Sequence, residues 1–197
     1  MMKRYAVLGI IIALVVSIAA IGCSSGSSKP KSTPTKTPVH TATPTATATP
    51  TTEPTETQAV NEAATATSLD FTVEYVTEGN GSATYRYRAR NIGTSDLDIR
   101  IDGNIQGVGE VAYILSGSAQ NGWIYTEGQW VSYTDSGYTD FNLFWDAWAA
   151  GFNGYHQSLV EGWTGLQNWT YTIPGDGTVT YTNVTINPSL PGSVFQP

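Results

Sequence analysis

Residues 69–75 read Leu-Asp-Phe-Thr-Val-Glu-Tyr, residues 85–90 read Tyr-Arg-Tyr-Arg-Ala-Arg, and residues 97–102 read Leu-Asp-Ile-Arg-Ile-Asp. Apolar residues alternate with polar ones in all three stretches, which is typical of β-strands with one dry face and one wet face. Turn-forming residues separate them, with Glu-Gly-Asn-Gly at 78–81 and Asn-Ile-Gly-Thr at 91–94. These stretches predict an antiparallel meander, and similar patterns predict further strands between residues 108 and 133 and between residues 169 and 186.

One segment has a different period. Large apolar side chains recur there every three or four residues, which is typical of a helix with one apolar face. Thr139 or Asp140 can cap its N-terminus by accepting a backbone N–H. Gly151 and Gly154 inside it predict a kink or two short helices, because each costs about 1 kcal/mol in a helix interior. The stripe consists of Phe141, Phe144, Trp145, Trp148, Phe152, Tyr155 and Leu159.

These patterns predict a mainly β domain over residues 68–197 with one helical segment. The expected architecture is a curved antiparallel sheet or half-open β-barrel with the helix on its concave face.

No cysteine follows Cys23, which excludes disulfides, Cys-ligated zinc and thiol catalysis from this domain. From residue 68 onward four Arg are the only Lys or Arg residues, against thirteen Asp and Glu, which gives a net charge of −9. Such a surface repels phosphate backbones, so we expect no nucleic-acid partner.

The N-terminus carries an export signal. Lys3 and Arg4 precede an uncharged, mostly apolar run at 6–22, and small residues stand before Cys23. This arrangement predicts a signal peptide at residues 1–22. Residues 20–23, Ala-Ile-Gly-Cys, resemble a lipobox, which implies lipidation of Cys23 and a membrane partner through the lipid anchor. The alternative is an uncleaved anchor helix, and both interpretations place the rest of the chain outside the cytoplasm.

Between these parts lies a low-complexity segment. Residues 24–67 contain fourteen Thr and six Pro. Such a composition buries too little apolar surface to offset chain entropy, and Pro-rich segments favour extended backbone. The range 23–67 is therefore expected to be the lipidated cysteine followed by a disordered tether.

Candidate catalytic groups are sparse. His156 is the one histidine from residue 68 onward, and no nucleophile motif accompanies it. The acidic pairs Asp140 with Asp146 and Glu110 with Glu127 stand in no supporting motif. We therefore expect a non-enzymatic protein without metal or cofactor.

The alternating arginines at 86, 88 and 90 face aspartates at 96, 98 and 102 if the chain turns near residues 92–94. Opposite charges across paired strands stabilise a sheet by roughly 0.2–1 kcal/mol each. The pattern predicts a neutralised solvent face in preference to an anion-binding stripe.

Aromatic residues are the strongest functional signal. From residue 68 onward the chain has 21 Phe, Trp and Tyr residues, including all six Trp. They can fill the core between sheet and helix, line an apolar cavity there, or form an outward strip for stacking on sugar rings. The candidates for a ligand pocket are Trp123, Trp130, Trp145, Trp148 and Phe152.

Three Asn-x-Ser/Thr sequons, at Asn80, Asn168 and Asn183, are candidate glycosylation sites. All three lie in predicted turns or strand ends.

Two stretches carry a family resemblance. The first contains Tyr-Ile-Leu-Ser-Gly-Ser at 113–118, Gly-Trp-Ile-Tyr at 122–125 and Gly-Gln-Trp at 128–130. The second is the ending Val-Thr-Ile-Asn-Pro-Ser-Leu-Pro-Gly-Ser-Val-Phe at 184–195. With the lipobox, they resemble LolA-like lipoprotein carriers and LppX-type lipoproteins. The resemblance implies a half-open antiparallel barrel with helix on its concave side, holding an acyl chain or another apolar ligand. The domain is shorter than the carriers.

The sequence thus predicts a cell-envelope lipoprotein, on the outer face of the cell membrane or, in a diderm, at the outer membrane. The favoured function is non-enzymatic binding or sensing of an apolar or lipidic ligand. The alternative is a carbohydrate-binding or surface-interaction module presented on a stalk.

Overall fold

The fold is known from a computed structural model that describes residues 56–77, 81–173 and 177–197. Eight strands form one antiparallel sheet in the spatial order 6-5-4-3-2-1-8-7. The sheet is open, and the expected mainly β fold with one main helix is confirmed. The strands are β1 (Ser68–Thr77), β2 (Gly81–Arg90), β3 (Asp98–Ile105), β4 (Gly109–Ser116), β5 (Asn121–Thr126), β6 (Gln129–Ser132), β7 (Asn168–Ile173) and β8 (Gly177–Ile186).

Within the described residues, two α-helices accompany the sheet, α1 (Glu56–Ala64) and α2 (Phe141–Gly162). The predicted cap of α2 is confirmed, because Asp140 Oδ1 accepts from the backbone N–H of Asn142 at 2.7 Å. The helix is continuous from Phe141 to Gly162, so of the two predicted outcomes, a kink or two short helices, the division into two helices is wrong. Gly151 is buried among the packed residues of α2, and tertiary packing outweighs the low helix propensity of glycine there.

The core lies between α2 and one face of the sheet, here called the inner face. Strand register places Phe71, Tyr87, Ile101, Tyr113 and Ile124 side by side on this face. All five are buried, as alternation along each strand predicts. The helix contributes a matching buried stripe, formed by Phe141, Phe144, Trp148, Ala149, Phe152, Tyr155 and Leu159.

A glycine sets how closely α2 approaches the sheet. A Cβ atom on Gly122 of β5 would lie 2.2 Å from Phe144 Cε1 and 2.8 Å from the Ile114 carbonyl oxygen. No real side chain tolerates such distances, so the phenyl ring of Phe144 occupies the space that a larger residue would need. The glycine in the predicted strand therefore has a packing role.

The sequence analysis assigned residues 23–67 to the lipidated cysteine and a disordered tether. Helix α1 lies within this range, so ordered structure begins before the predicted domain boundary at residue 68. Ala59 and Ala63 are fully buried in the core, and α1 lies against α2. The Nε2 atom of His156 is 3.0 Å from the Ala63 carbonyl oxygen. Small alanine side chains permit this close helix packing, and a search for large apolar residues misses them.

The last residues form a C-terminal strap, defined as residues 187–195. Asn187 Oδ1 accepts from the Thr67 N–H at 2.8 Å, which fixes the strap beside the start of β1. A 3₁₀ helix, Gly192–Phe195, then lies against β3 and β4. The Phe195 ring lies 4.6 Å from the Arg90 guanidinium, so the strap covers part of the sheet face opposite α2. That face is called the outer face below.

The predicted signal peptide at residues 1–22, Cys23 and Asn80 lie outside the described residues. Among the helices that the structure does describe, none combines the length and apolar character needed to cross a membrane.

Candidate binding groove

The outer face carries a network of ion pairs. Arg86 donates through Nε to Asp70 Oδ1 at 3.0 Å and through Nη2 to Asp70 Oδ2 at 2.8 Å. This hydrogen bond raises the pKa of the Arg86 guanidinium. Arg90 donates to Asp98 Oδ2 from Nε at 2.9 Å and from Nη2 at 2.7 Å. The predicted neutralised face is confirmed, with Asp70 of β1 as an additional partner.

Asp102 is shared by two cations. Its carboxylate accepts from Arg88 and also from Arg100, whose Nε is 3.0 Å from Asp102 Oδ1. Asp96, which the sequence placed on this face, lies instead in the turn between β2 and β3. Each of the four arginines of the domain therefore has a carboxylate partner.

A groove of about 460 Å³ lies on the outer face. Its walls combine hydroxyl, amide, carboxylate, guanidinium and aromatic groups, and they come from six neighbouring strands, β1 to β6. Most of the lining side chains are polar or charged, whereas sites for drug-like molecules are lined mainly by apolar groups with a few polar ones, so the groove suits a hydrophilic ligand. The groove is lined by Thr72, Thr84, Arg86, Arg100, Asp102, Gly103, Asn104, Glu110, Val111, Ala112, Tyr125 and Trp130.

Two aromatic rings stand at the β5–β6 end of the groove. Tyr125 and Trp130 are directly paired across the strands, with ring centroids 5.4 Å apart and ring planes at 60°. The Arg100 guanidinium lies 5.3 Å from the Trp130 ring, a cation–π contact. Both aromatic side chains are half-buried, so their rings contribute to the groove surface.

Arg100 links this groove to the strap. Besides its contacts with Asp102 and Trp130, it donates through Nη1 to the Val194 carbonyl oxygen at 3.2 Å. The planar guanidinium of Arg100 thus contacts a carboxylate, an indole ring and the backbone of the strap.

The five predicted pocket residues are divided between the two faces of the sheet. Trp148 and Phe152 are 3% and 1% exposed and belong to the core, and Trp145 of α2 is partly buried against it. Trp123 and Trp130 lie on the outer face, where Trp130 lines the groove. The structure therefore does not bring these five side chains together in one pocket.

Most groove residues were missed by the sequence reasoning. Arg86 and Asp102 were recognised only as part of a neutralised face, and Arg100, Tyr125, Asn104 and Glu110 were not connected with them. The alternation in β5 and β6 does place Tyr125 and Trp130 on one face. Only the strand order shows that this is the same face as the arginines of β2 and β3.

Burial also affects the tyrosines of the core. It raises the pKa of Tyr85 to about 12 and raises the pKa of Tyr87 well above its usual value. The cause is desolvation, which disfavours the phenolate. The Tyr85 hydroxyl has no hydrogen-bond partner among the residues that the structure describes.

The remaining candidate groups occupy other places. His156 joins α1 to α2, and Asp140 caps α2. The sequon residues Asn168, at the start of β7, and Asn183, inside β8, are exposed. Within residues 56–77, 81–173 and 177–197, no three His, Cys, Asp or Glu side chains are grouped so that they could hold a metal ion.

Comparison of the chain with models of protein families, with curated proteins and with solved structures finds no match.

Proposed function

We propose that this protein is an extracytoplasmic, non-enzymatic binding module that takes a neutral, hydroxyl-rich carbohydrate in the groove of the outer face. The observation that carries the proposal is the groove itself. Trp130 and Tyr125 line it together with hydrogen-bonding side chains, such as Asn104 on β3 and Thr84 on β2. An aromatic ring offers an apolar surface to the C–H groups of a sugar, while amide, hydroxyl and carboxylate groups bind its hydroxyls.

The charge arrangement favours a neutral ligand. Arg86 and Arg100 line the groove, but their guanidinium groups already donate to Asp70 and Asp102. An acidic ligand would have to displace one of these carboxylates to obtain a bidentate partner. The acidic domain surface, with its net charge of −9, also repels anions.

The apolar-ligand hypothesis has less support. The side chains between α2 and the inner face contact one another, as in the stacking of Trp148 on Tyr113 and of Phe152 on Phe71. An acyl chain would have to displace these rings. A lipid retained by the purified protein in native mass spectrometry would favour the apolar ligand over the sugar.

The location follows from the N-terminal sequence. A cleaved signal peptide and lipidated Cys23 would anchor the chain in the cell envelope, and the LolA-like relationship stays a prediction. Stable anchoring by acyl chains needs more than one of them. Radiolabelled palmitate should enter the native protein but not the Cys23→Ser variant, and equal labelling of both would contradict lipidation at this cysteine.

The groove can be tested with a glycan array. The full-length protein should bind neutral glycans in preference to uronate, sulfated or phosphorylated ones. Trp130→Ala should weaken that binding about tenfold or more, equivalent to about 1.4 kcal/mol. Trp123→Ala is the matched control, because Trp123 lies on the same face but does not line the groove.

Two results would contradict the proposal. One is an array without any bound neutral glycan. The other is wild-type binding by the Trp130 variant, which would show that the glycan does not bind beside this ring.

A further inference from the structure

The groove extends across the strands. Its lining residues come from six consecutive strands of the sheet, from Trp130 on β6 to Thr72 on β1. Neighbouring strands lie about 4.8 Å apart, so the groove runs roughly 24 Å perpendicular to them. A site of this length exceeds the size of one sugar ring several times.

The strand register defines a line along this groove that continues beyond it. One outer-face residue of each strand is paired with the next, and the pairing reaches both edges of the sheet. Past Thr72 the line enters β8 and β7, where it continues with a hydroxyl and an amide side chain. The line consists of Trp130, Tyr125, Ala112, Asp102, Arg86, Thr72, Thr182 and Asn168.

The C-terminal strap borders one side of this line. Arg100, which precedes Asp102 on β3, contacts Val194 of the strap. Arg90, which follows Arg86 on β2, contacts Phe195 of the strap. On the other side, the lining residues include Thr84, Asn104 and Glu110, which follow on the same strands. A ligand in the groove is therefore directed along the line, across the strands.

Building on the proposed function, we propose that the ligand is a linear neutral polysaccharide that lies along this line and binds through several consecutive sugar units. The aromatic pair at β5–β6 receives one end of the bound segment. Side chains of β3 to β1 bind its middle, and Thr182 and Asn168 contact a longer chain beyond the groove. Binding of a single terminal sugar would use only a small part of this surface.

The test is the dependence of affinity on chain length. Isothermal titration calorimetry of the full-length protein would use the cello-, malto- and N-acetylated chito-oligosaccharide series, from the monosaccharide to the longest soluble oligomer. In the series that binds, affinity should rise about a hundredfold with length and then become constant once the chain spans the groove. Equal affinity for the monosaccharide and the longest oligomer would overturn the inference, while the proposed carbohydrate function would stand.

A pair of variants tests the far end of the line. Thr182→Val together with Asn168→Ala removes the hydroxyl and the amide there, and it should lower affinity for long chains about fivefold but leave the shortest binding oligosaccharide unaffected. The matched control is Thr178→Val with Thr172→Val, which changes the same two strands on the same face, away from the line. Identical behaviour of both double variants would overturn the proposed path.

A different result would overturn the proposed carbohydrate function itself. If no neutral saccharide of any length binds, in these series or on the array, the carbohydrate function is wrong, and the inference about chain length is wrong with it.

Discussion

Trp148 of α2 stacks on Tyr113 of β4, with ring centroids 3.7 Å apart and ring planes at 20°. Both residues are almost fully buried. This contact joins the main helix to the middle of the sheet's inner face, and similar ring contacts extend to both sides of it. The helix therefore acts as the second layer of a packed core, and the outer face holds the large groove.

Replacing Trp148 tests that role. Trp148→Ala should lower the free energy of unfolding by about 3–5 kcal/mol, because it removes a buried indole and leaves a cavity. Urea denaturation monitored by circular dichroism gives the value. Trp145→Ala, on the partly exposed side of the same helix, should cost less than half as much. Equal costs for both would contradict a core role for Trp148.

Gly122 should not accept a side chain. The added methyl group of Gly122→Ala would lie 2.2 Å from Phe144 Cε1, so α2 must shift away from β5. We expect a loss of about 1–3 kcal/mol in the free energy of unfolding. Gly154→Ala is the opposite control, since its added methyl group would have no atom within 4 Å apart from the neighbouring residues and backbone of α2 itself. It should stabilise the protein by up to about 1 kcal/mol through helix propensity. A destabilised Gly154→Ala protein would contradict the open surroundings of this position.

Helix α1 should prove to be part of the folded domain. Ala63→Leu places a large side chain at a fully buried position beside α2, which should cost about 1–3 kcal/mol in the free energy of unfolding. The exposed neighbour Ala64 supplies the control, because Ala64→Leu should change stability by less than about 0.5 kcal/mol. If both variants unfold at the wild-type urea concentration, α1 does not pack as described.

Stability should fall at alkaline pH. Burial raises the pKa of Tyr85 to about 12 in the folded protein, whereas an unfolded tyrosine has a pKa of about 10. As pH rises, Tyr85 loses its proton in the unfolded protein before it does so in the folded protein. The contribution of Tyr85 to stability is therefore complete below a pH of about 10 and is lost as the pH rises to about 12. Each pKa unit corresponds to about 1.4 kcal/mol.

Tyr85→Phe isolates this effect. It removes a buried hydroxyl that has no hydrogen-bond partner among the described residues, so stability near neutral pH should stay within about 1 kcal/mol of wild type. Above pH of about 10 the variant should lose less stability than wild type in urea titrations. If Tyr85→Phe loses as much stability at alkaline pH as the wild-type protein does, then Tyr85 does not contribute to the alkaline loss of stability.

Local patterns predicted much of the fold. Alternation in residues 69–75, 85–90 and 97–102 predicted three strands, and Asp140 was recognised as a cap, because these features depend on neighbouring residues alone. Helix α1 was missed since its buried contacts are made by Ala59 and Ala63, whose contribution depends on a partner helix far along the chain. The continuity of α2 through Gly151 also depends on packing.

The candidate site was predicted only in fragments. Trp130 was named as a ligand residue and the arginines as a neutralised face, yet nothing in the sequence connected the two. Their connection needs β3, β4, β5 and β6 to be consecutive neighbours in one sheet. Trp148 and Phe152 were assigned to the same pocket because an aromatic stripe has the same period whether it lines a cavity or fills a core.

Three properties of the domain are apparent without the structure: the period of each element, the pairing of arginine with aspartate on one face, and the acidic, cysteine-free composition. These properties arise from residue chemistry and from spacing over a few positions. The tertiary structure alone decided which aromatic residues are buried and which line the groove. The reason is that aromatic side chains lie on both faces of the sheet, and only the packing of α2 makes one face the core while the groove forms on the other.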